Sequence, residues 1–115
     1  MSKDMLYLLR AGFPDMDKVW ICPDCAMMEG YLAYYPHLRN ALDIVYVDYP
    51  RPRADLFERL GEAHQNAPTL ILAQAAEDAG PYGEIQSANG WSFLSDARPI
   101  IRYLADKHGV APPHP

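Results

Sequence analysis

Five consecutive apolar residues, Met5-Leu6-Tyr7-Leu8-Leu9, constrain this chain more than any other feature. A strand with one solvated face alternates polar and apolar residues, whereas an unbroken apolar run needs cover on both faces. Helices on both faces of a sheet supply that cover, so an α/β architecture is expected. The 115 residues suit one compact domain over 1–115. Half of them are apolar and 22% are charged, the balance of a folded chain rather than a disordered one.

The rest of the pattern extends this reading. Residues 10–21 read as a long connection, and its Phe13, Met16 and Trp20 suit a functional cover. A helix is expected from Pro23, a residue suited to the first helical position, to Tyr35, before Pro36. Its stripe is Met28, Leu32 and Tyr35, with Tyr31 and Ala33 beside it. Gly30 in its middle implies a close packing contact. Asp43–Tyr49 is β-branched and aromatic, hence a strand. A helix then runs to about His64 with Leu56, Leu60 and Ala63 on one face. Pro68–Ala73 is the third strand and Gln74–Asn89 a polar loop. Asn89-Gly90 signals a tight hairpin into Trp91–Leu94. Ser95 or Asp96 caps a last helix with Ile100, Ile101 and Leu104 inward and Gly109 at its end. The expected order is βαβαββα, a four-stranded mixed sheet flanked by helices.

Charge and hydropathy remove whole classes. A net charge of −5 is the wrong sign for a chain that neutralises phosphate backbones, so no nucleic acid is expected as partner. No apolar stretch is long enough to span a bilayer, and the first residues form no secretory signal. A cytoplasmic chain without a membrane partner is expected.

Chemistry concentrates in Cys22-Pro23-Asp24-Cys25. Two cysteines three residues apart close a loop too short to stabilise the fold. At the start of a helix, unpaired N–H groups and the dipole favour a thiolate at Cys22. Cys25, one turn on, can then resolve a mixed disulfide formed there. Cys22 is the expected attacking and more exposed thiol. Two other readings stay open: a buried inert pair, and half of a four-ligand metal site. His37, His64, His108 and His114 show no ligand spacing, so no metal is assigned.

The Cys-x-x-Cys on the first helix, the element order and Ala67-Pro68-Thr69 at the third strand resemble the thioredoxin superfamily. Pro23 inside the motif is similar to glutaredoxins. Residues 93–109 resemble the last helix of glutathione S-transferase N-terminal domains, with Asp96 at the acidic position and Ala97 where a serine is usual. More closely, the chain resembles a small bacterial thioredoxin-like family with no assigned function. That likeness rests on Cys22-Pro23-Asp24-Cys25-Ala26, Glu29-Gly30, Pro50-Arg51-Pro52-Arg53, Gly61-Glu62, Pro68 and Lys107-His108-Gly109.

The resemblance implies a thioredoxin-like fold with a cis bond at Ala67–Pro68. It implies Ala67, Pro68 and Asp96 as substrate contacts, and thiol–disulfide exchange with no bound cofactor and glutathione as candidate co-substrate. A small thiol or a protein disulfide is the implied substrate, and a homodimer is compatible. The alternatives are a non-catalytic module that binds a thiol compound or a partner protein, and a metal-bridged oligomer. Trp20 either stacks over the cysteines or is plain cover. Arg51 and Arg53, at a helix start on the same sheet edge as Cys22, are either solvated or a cationic rim for an anionic substrate. Tyr7, inside the apolar run, belongs to the core, and Met27-Met28 to helix packing. Lys18 stands one residue from the place of a glutathione-binding lysine in glutaredoxins.

Overall fold

The computed structural model describes residues 3–74 and 85–115. Among them the elements are β1 (Asp4–Leu9), β2 (Phe13–Asp15), β3 (Lys18–Trp20), α1 (Pro23–Tyr34), α2 (Leu38–Ala41), β4 (Leu42–Val47), α3 (Ala54–Leu60), β5 (Thr69–Ile71), β6 (Gln86–Ala88), β7 (Trp91–Ser95) and α4 (Ala97–His108). The apolar run is buried throughout as β1 and lies inside a five-stranded sheet of order β4-β1-β5-β7-β6. β1 pairs parallel with β4 and antiparallel with β5, so the sheet is mixed, as expected.

The sheet has five strands rather than the expected four. The extra one, β6, lies in the stretch expected as loop and pairs with β7. Asn89 and Gly90 between them have φ +51° and +82°, which is the two-residue turn their sequence signals. The rest of that expected loop, 75–84, lies outside the described residues.

Residues 10–21 are likewise not a bare connection. They form a separate hairpin of β2 and β3, turned at Met16 and Asp17 with φ +48° and +62°. Neither residue is the Gly or Asn that marks such turns in sequence, which hid the hairpin.

Helix ends also differ from expectation. α3 stops at Leu60, because Gly61 takes φ +91° and closes the helix through its N–H to the Phe57 carbonyl. Ala63 is therefore exposed and off the buried face. Asp96 sits at the start of α4 with φ +73°, but its side chain caps nothing. A Cβ at Gly30 would meet nothing within 4 Å among the described residues, so no close contact with them explains that glycine, and Ala33 is exposed. Gly109 ends α4 in the left-handed conformation, as expected.

The core joins β1, β5 and β7 to α1, α3 and α4. Tyr7 is fully buried, and its hydroxyl donates to the Asp55 carboxylate on α3. That covers one face of β1; Leu6 and Leu8 point to the opposite face. On α4, Ile100 and Leu104 are fully buried and Ile101 nearly so. Ile100→Ala is expected to lower unfolding free energy by about 3 kcal/mol, through lost burial and an unfilled cavity. Urea unfolding measures this as a lower midpoint at unchanged slope. A loss under about 1 kcal/mol would mean that α4 repacks around the site.

Asp4, nearly fully buried on β1, accepts hydrogen bonds from the Ala73 N–H at 2.7 Å and from Lys107 Nζ at 2.9 Å. Beside it His108 holds Nε2 buried without a hydrogen-bond partner among the described residues. Burial, then the Lys107 charge, lowers its pKa below the usual 6.5, with His37 acting in the same direction and Asp4 against it. A cation at a helix C-terminus normally stabilises; here desolvation wins. The folded state therefore prefers neutral His108. Its stability is full above about pH 6.5 and falls as acid charges the unfolded histidine first. Unfolding midpoints of the natural chain and His108→Gln should diverge between pH 7.5 and pH 5.5, with the natural chain losing more. Parallel curves would contradict the assignment.

Candidate active site

α1 begins directly after the β2–β3 hairpin, so Cys22 becomes its N-cap residue at the carboxyl end of β1. Pro23 occupies the first turn, where its missing N–H costs no hydrogen bond. The Cys22 sulfur accepts the Cys25 N–H at 3.2 Å, one of the donors a helix start leaves unpaired. Its S–H donates toward the Ala67 carbonyl at 3.7 Å. The Ala67–Pro68 bond is cis, as expected, and Arg51–Pro52 is a second cis bond.

The two thiols are free and unequal. Cys22 is half-buried, whereas Cys25 is buried, with its sulfur accepting the Leu9 N–H at 3.3 Å. Burial foremost, then hydrogen bonding to Cys22, pushes the Cys25 thiol up to about 12. The first cysteine is thus reachable and the second lies behind it.

Arg53 departs from both sequence readings, because its side chain is buried. Nε and Nη2 donate to the Tyr49 carbonyl at 3.2 and 2.9 Å, and Nη1 donates to the Gln65 carbonyl at 2.8 Å. Its own N–H donates to Gln65 Oε1 at 2.7 Å. The guanidinium thus ties the β4–α3 connection to the loop that delivers Ala67 and Pro68. Burial first, then the Arg51 charge, lowers its pKa, while charge on Cys25 or Cys22 would favour its charged form. Arg51 remains exposed and donates to Asn66 Oδ1 at 3.2 Å.

Trp20 is drawn into its own hairpin: the indole N–H donates to the Asp15 carbonyl and Lys18 lies over the ring. Phe13 stacks on Tyr49 at 4.5 Å, which holds the hairpin against the Arg53 loop. Asp96 is exposed and lines a depression of about 320 Å³ with Asp24, Met27, Ala97, Arg98, Pro99 and Arg102. Met28 is buried, as expected of helix packing, but Met27 is exposed.

A cleft of about 220 Å³ opens on both thiols, and Ala11, Ile21, Glu29 and Tyr46 line it with them. Trp20 is not among its lining residues. Sequence reasoning missed Glu29 and Tyr46 as site residues. The separation of four from Cys25 to Glu29 places both on one helix face and was the available signal. Nothing local marks Tyr46, which arrives from β4.

Among the described residues no three His, Cys, Asp or Glu side chains converge in a metal-holding group, and no helix is long and apolar enough to cross a membrane. Searches of curated proteins and of solved structures returned no match. A family model does match residues 3–112, nearly the whole chain, and the chain therefore belongs to the family described as a protein of unknown function, DUF3088.

Proposed function

We propose that the chain is a thiol–disulfide oxidoreductase on a thioredoxin-like fold, with Cys22 as nucleophile and Cys25 as resolving thiol. The carrying observation is the asymmetry of the pair: Cys22 is accessible at a helix N-terminus, and Cys25 is buried one turn behind it. For the fold, the reading takes β1, α1, β4, α3, β5, β7 and α4 as the βαβαββα frame, with the hairpin, α2 and β6 as additions. The Ala67 carbonyl beside Cys22 gives a substrate backbone a place to dock.

The Cys22 thiolate attacks a disulfide, forms a mixed disulfide and releases one thiolate. Cys25 then attacks the Cys22 sulfur, releasing the second thiolate and leaving a Cys22–Cys25 disulfide. Two thiols, with glutathione as candidate, reduce that disulfide and are themselves oxidised. The test is turnover of hydroxyethyl disulfide with glutathione as reductant. Catalysed consumption of glutathione is expected. Uncatalysed rates with both glutathione and a dithiol would overturn the reading. A stable thiol adduct without turnover would favour the binding module instead.

A further inference from the structure

A helix packed on a sheet buries one apolar stripe and shows a polar face to water. In α1, Met28, Tyr31 and Leu32 are buried, yet Met27, Ala33 and Tyr34 are exposed and apolar as well. Tyr34 is 81% exposed and Met27 42%. Gly30 lies between them in sequence and weakens the helix relative to alanine. No described neighbour demands it, since a Cβ there would meet nothing within 4 Å. What its missing side chain does is leave backbone bare on the wall of a cavity.

That cavity has a volume of about 570 Å³, inside the range of roughly 300–1,000 Å³ usual for small-molecule sites. Gly30, Met27 and three tyrosines of α1 and its end line it, with Arg98 and Ile101 from α4 and Pro112 and Pro113 from the segment beyond. That segment is tied down. The Tyr31 hydroxyl donates to the Ala111 carbonyl at 2.8 Å, and the Val110 N–H donates to the Ala105 carbonyl at 3.1 Å. Tyr31 and Tyr35 meet edge to face at 5.3 Å, so the wall is aromatic and already ordered. The cavity shares no lining residue with the thiol cleft.

Charge narrows the choice of occupant. The chain has 15 acidic residues against 10 basic, yet no carboxylate lines this cavity and Arg98 does. A guanidinium carries five N–H donors, and Arg98 uses Nη1 on the His114 carbonyl at 3.4 Å. Arg98 also borders the depression shared with Asp24 and Asp96, but the ion pairs among the described residues leave it out. A carboxylate matches the guanidinium fork with two parallel hydrogen bonds. Tyrosine rings and the Met27 thioether favour a flat aromatic body over an alkyl chain. A rigid ring also loses less freedom on binding than a chain does.

We propose that this cavity is a binding site for a small aromatic carboxylate, with its ring against the bare backbone at Gly30 and the tyrosines, and its carboxylate on Arg98. The site stands apart from the thiols and does not depend on the exchange reading.

Titrating the full chain with 2-naphthoate, followed by amide NMR shifts, tests this. Saturable shifts centred on Gly30, Tyr34 and Ile101 are expected, with a Kd of about 1 mM or tighter for a probe of this size. The neutral 2-naphthamide and the flexible octanoate should each bind at least about fivefold more weakly. Arg98→Gln should cost naphthoate about tenfold in affinity and erase its advantage over the amide. Gly30→Leu places a side chain where the ring would lie and should abolish the shifts. Leucine is the better helix former, so this variant should unfold in urea no earlier than the natural chain. Absence of saturable shifts up to about 10 mM naphthoate overturns the proposal. So do shifts centred on Ala11, Cys22 and Glu29, octanoate binding as tightly as naphthoate, or undiminished binding in a folded Gly30→Leu. An unchanged preference over the amide in Arg98→Gln overturns it as well, because the carboxylate would then meet something else.

Discussion

On the proposed exchange mechanism, replacing Cys22 with Ser is expected to reduce disulfide exchange by at least about a thousandfold, because a hydroxyl at its ordinary pKa is a weak nucleophile where a thiolate is required. Cys25→Ser should behave differently. Cys22 still attacks, but nothing behind it can displace the substrate, so the chain accumulates as a mixed disulfide. With oxidised glutathione, mass spectrometry should show one glutathionyl group on Cys25→Ser and none retained on Cys22→Ser. The asymmetry follows from half-exposure of one sulfur and burial of the other, which is pushed up to about 12 chiefly by that burial. Equal trapping by both variants would mean that the roles are misassigned.

How much of this was legible beforehand depended on the range of the interaction. The run at Met5–Leu9 needed only composition to become a strand buried on both faces. Asn89-Gly90 and Gly109 carry their backbone geometry in their own chemistry, and both turned as expected. Met16 carries no such signal, and Asp17 only the weak one of an aspartate that tolerates the left-handed region. Their left-handed conformation accompanies the Phe13–Tyr49 stack and the strand pairing around them, which window-by-window reading does not see. The candidate site divides in the same way. The Cys pair announces itself by spacing and by the helix start. Gln65, which receives the Arg53 N–H, and Tyr46, which reaches Glu29, come from distant strands and loops. Their parts depend on strand register and loop path, to which hydropathy patterns are nearly blind.

Arg53 gives the second large effect, and it follows from a burial that sequence reasoning did not anticipate. A guanidinium is strongly hydrated, so placing it inside costs energy unless its donors are met. Here they are met by the Tyr49 and Gln65 carbonyls, and its Cζ lies 5.7 Å from the Tyr49 ring centre. Removing it strands buried acceptors as well as losing the bonds, and that asymmetry sets the cost. Arg53→Ala is expected to lose about 3 kcal/mol of stability. Arg51→Ala, on an exposed side chain, should stay within about 0.5 kcal/mol. Arg53→Lys keeps the charge but not the fork that spans two carbonyls, so it should recover only part of the loss. Exchange should fall with stability, because Gln65 belongs to the loop that sets the Ala67 carbonyl against Cys22. Salt distinguishes the two arginines further. Raising ionic strength should erase any rate effect of Arg51→Ala, since exposed charges are screened, while the Arg53 deficit should persist. Urea unfolding and exchange rates at two salt concentrations measure all of this. Equal stability losses at the two positions would show that the carbonyl contacts of Arg53 do not hold the loop.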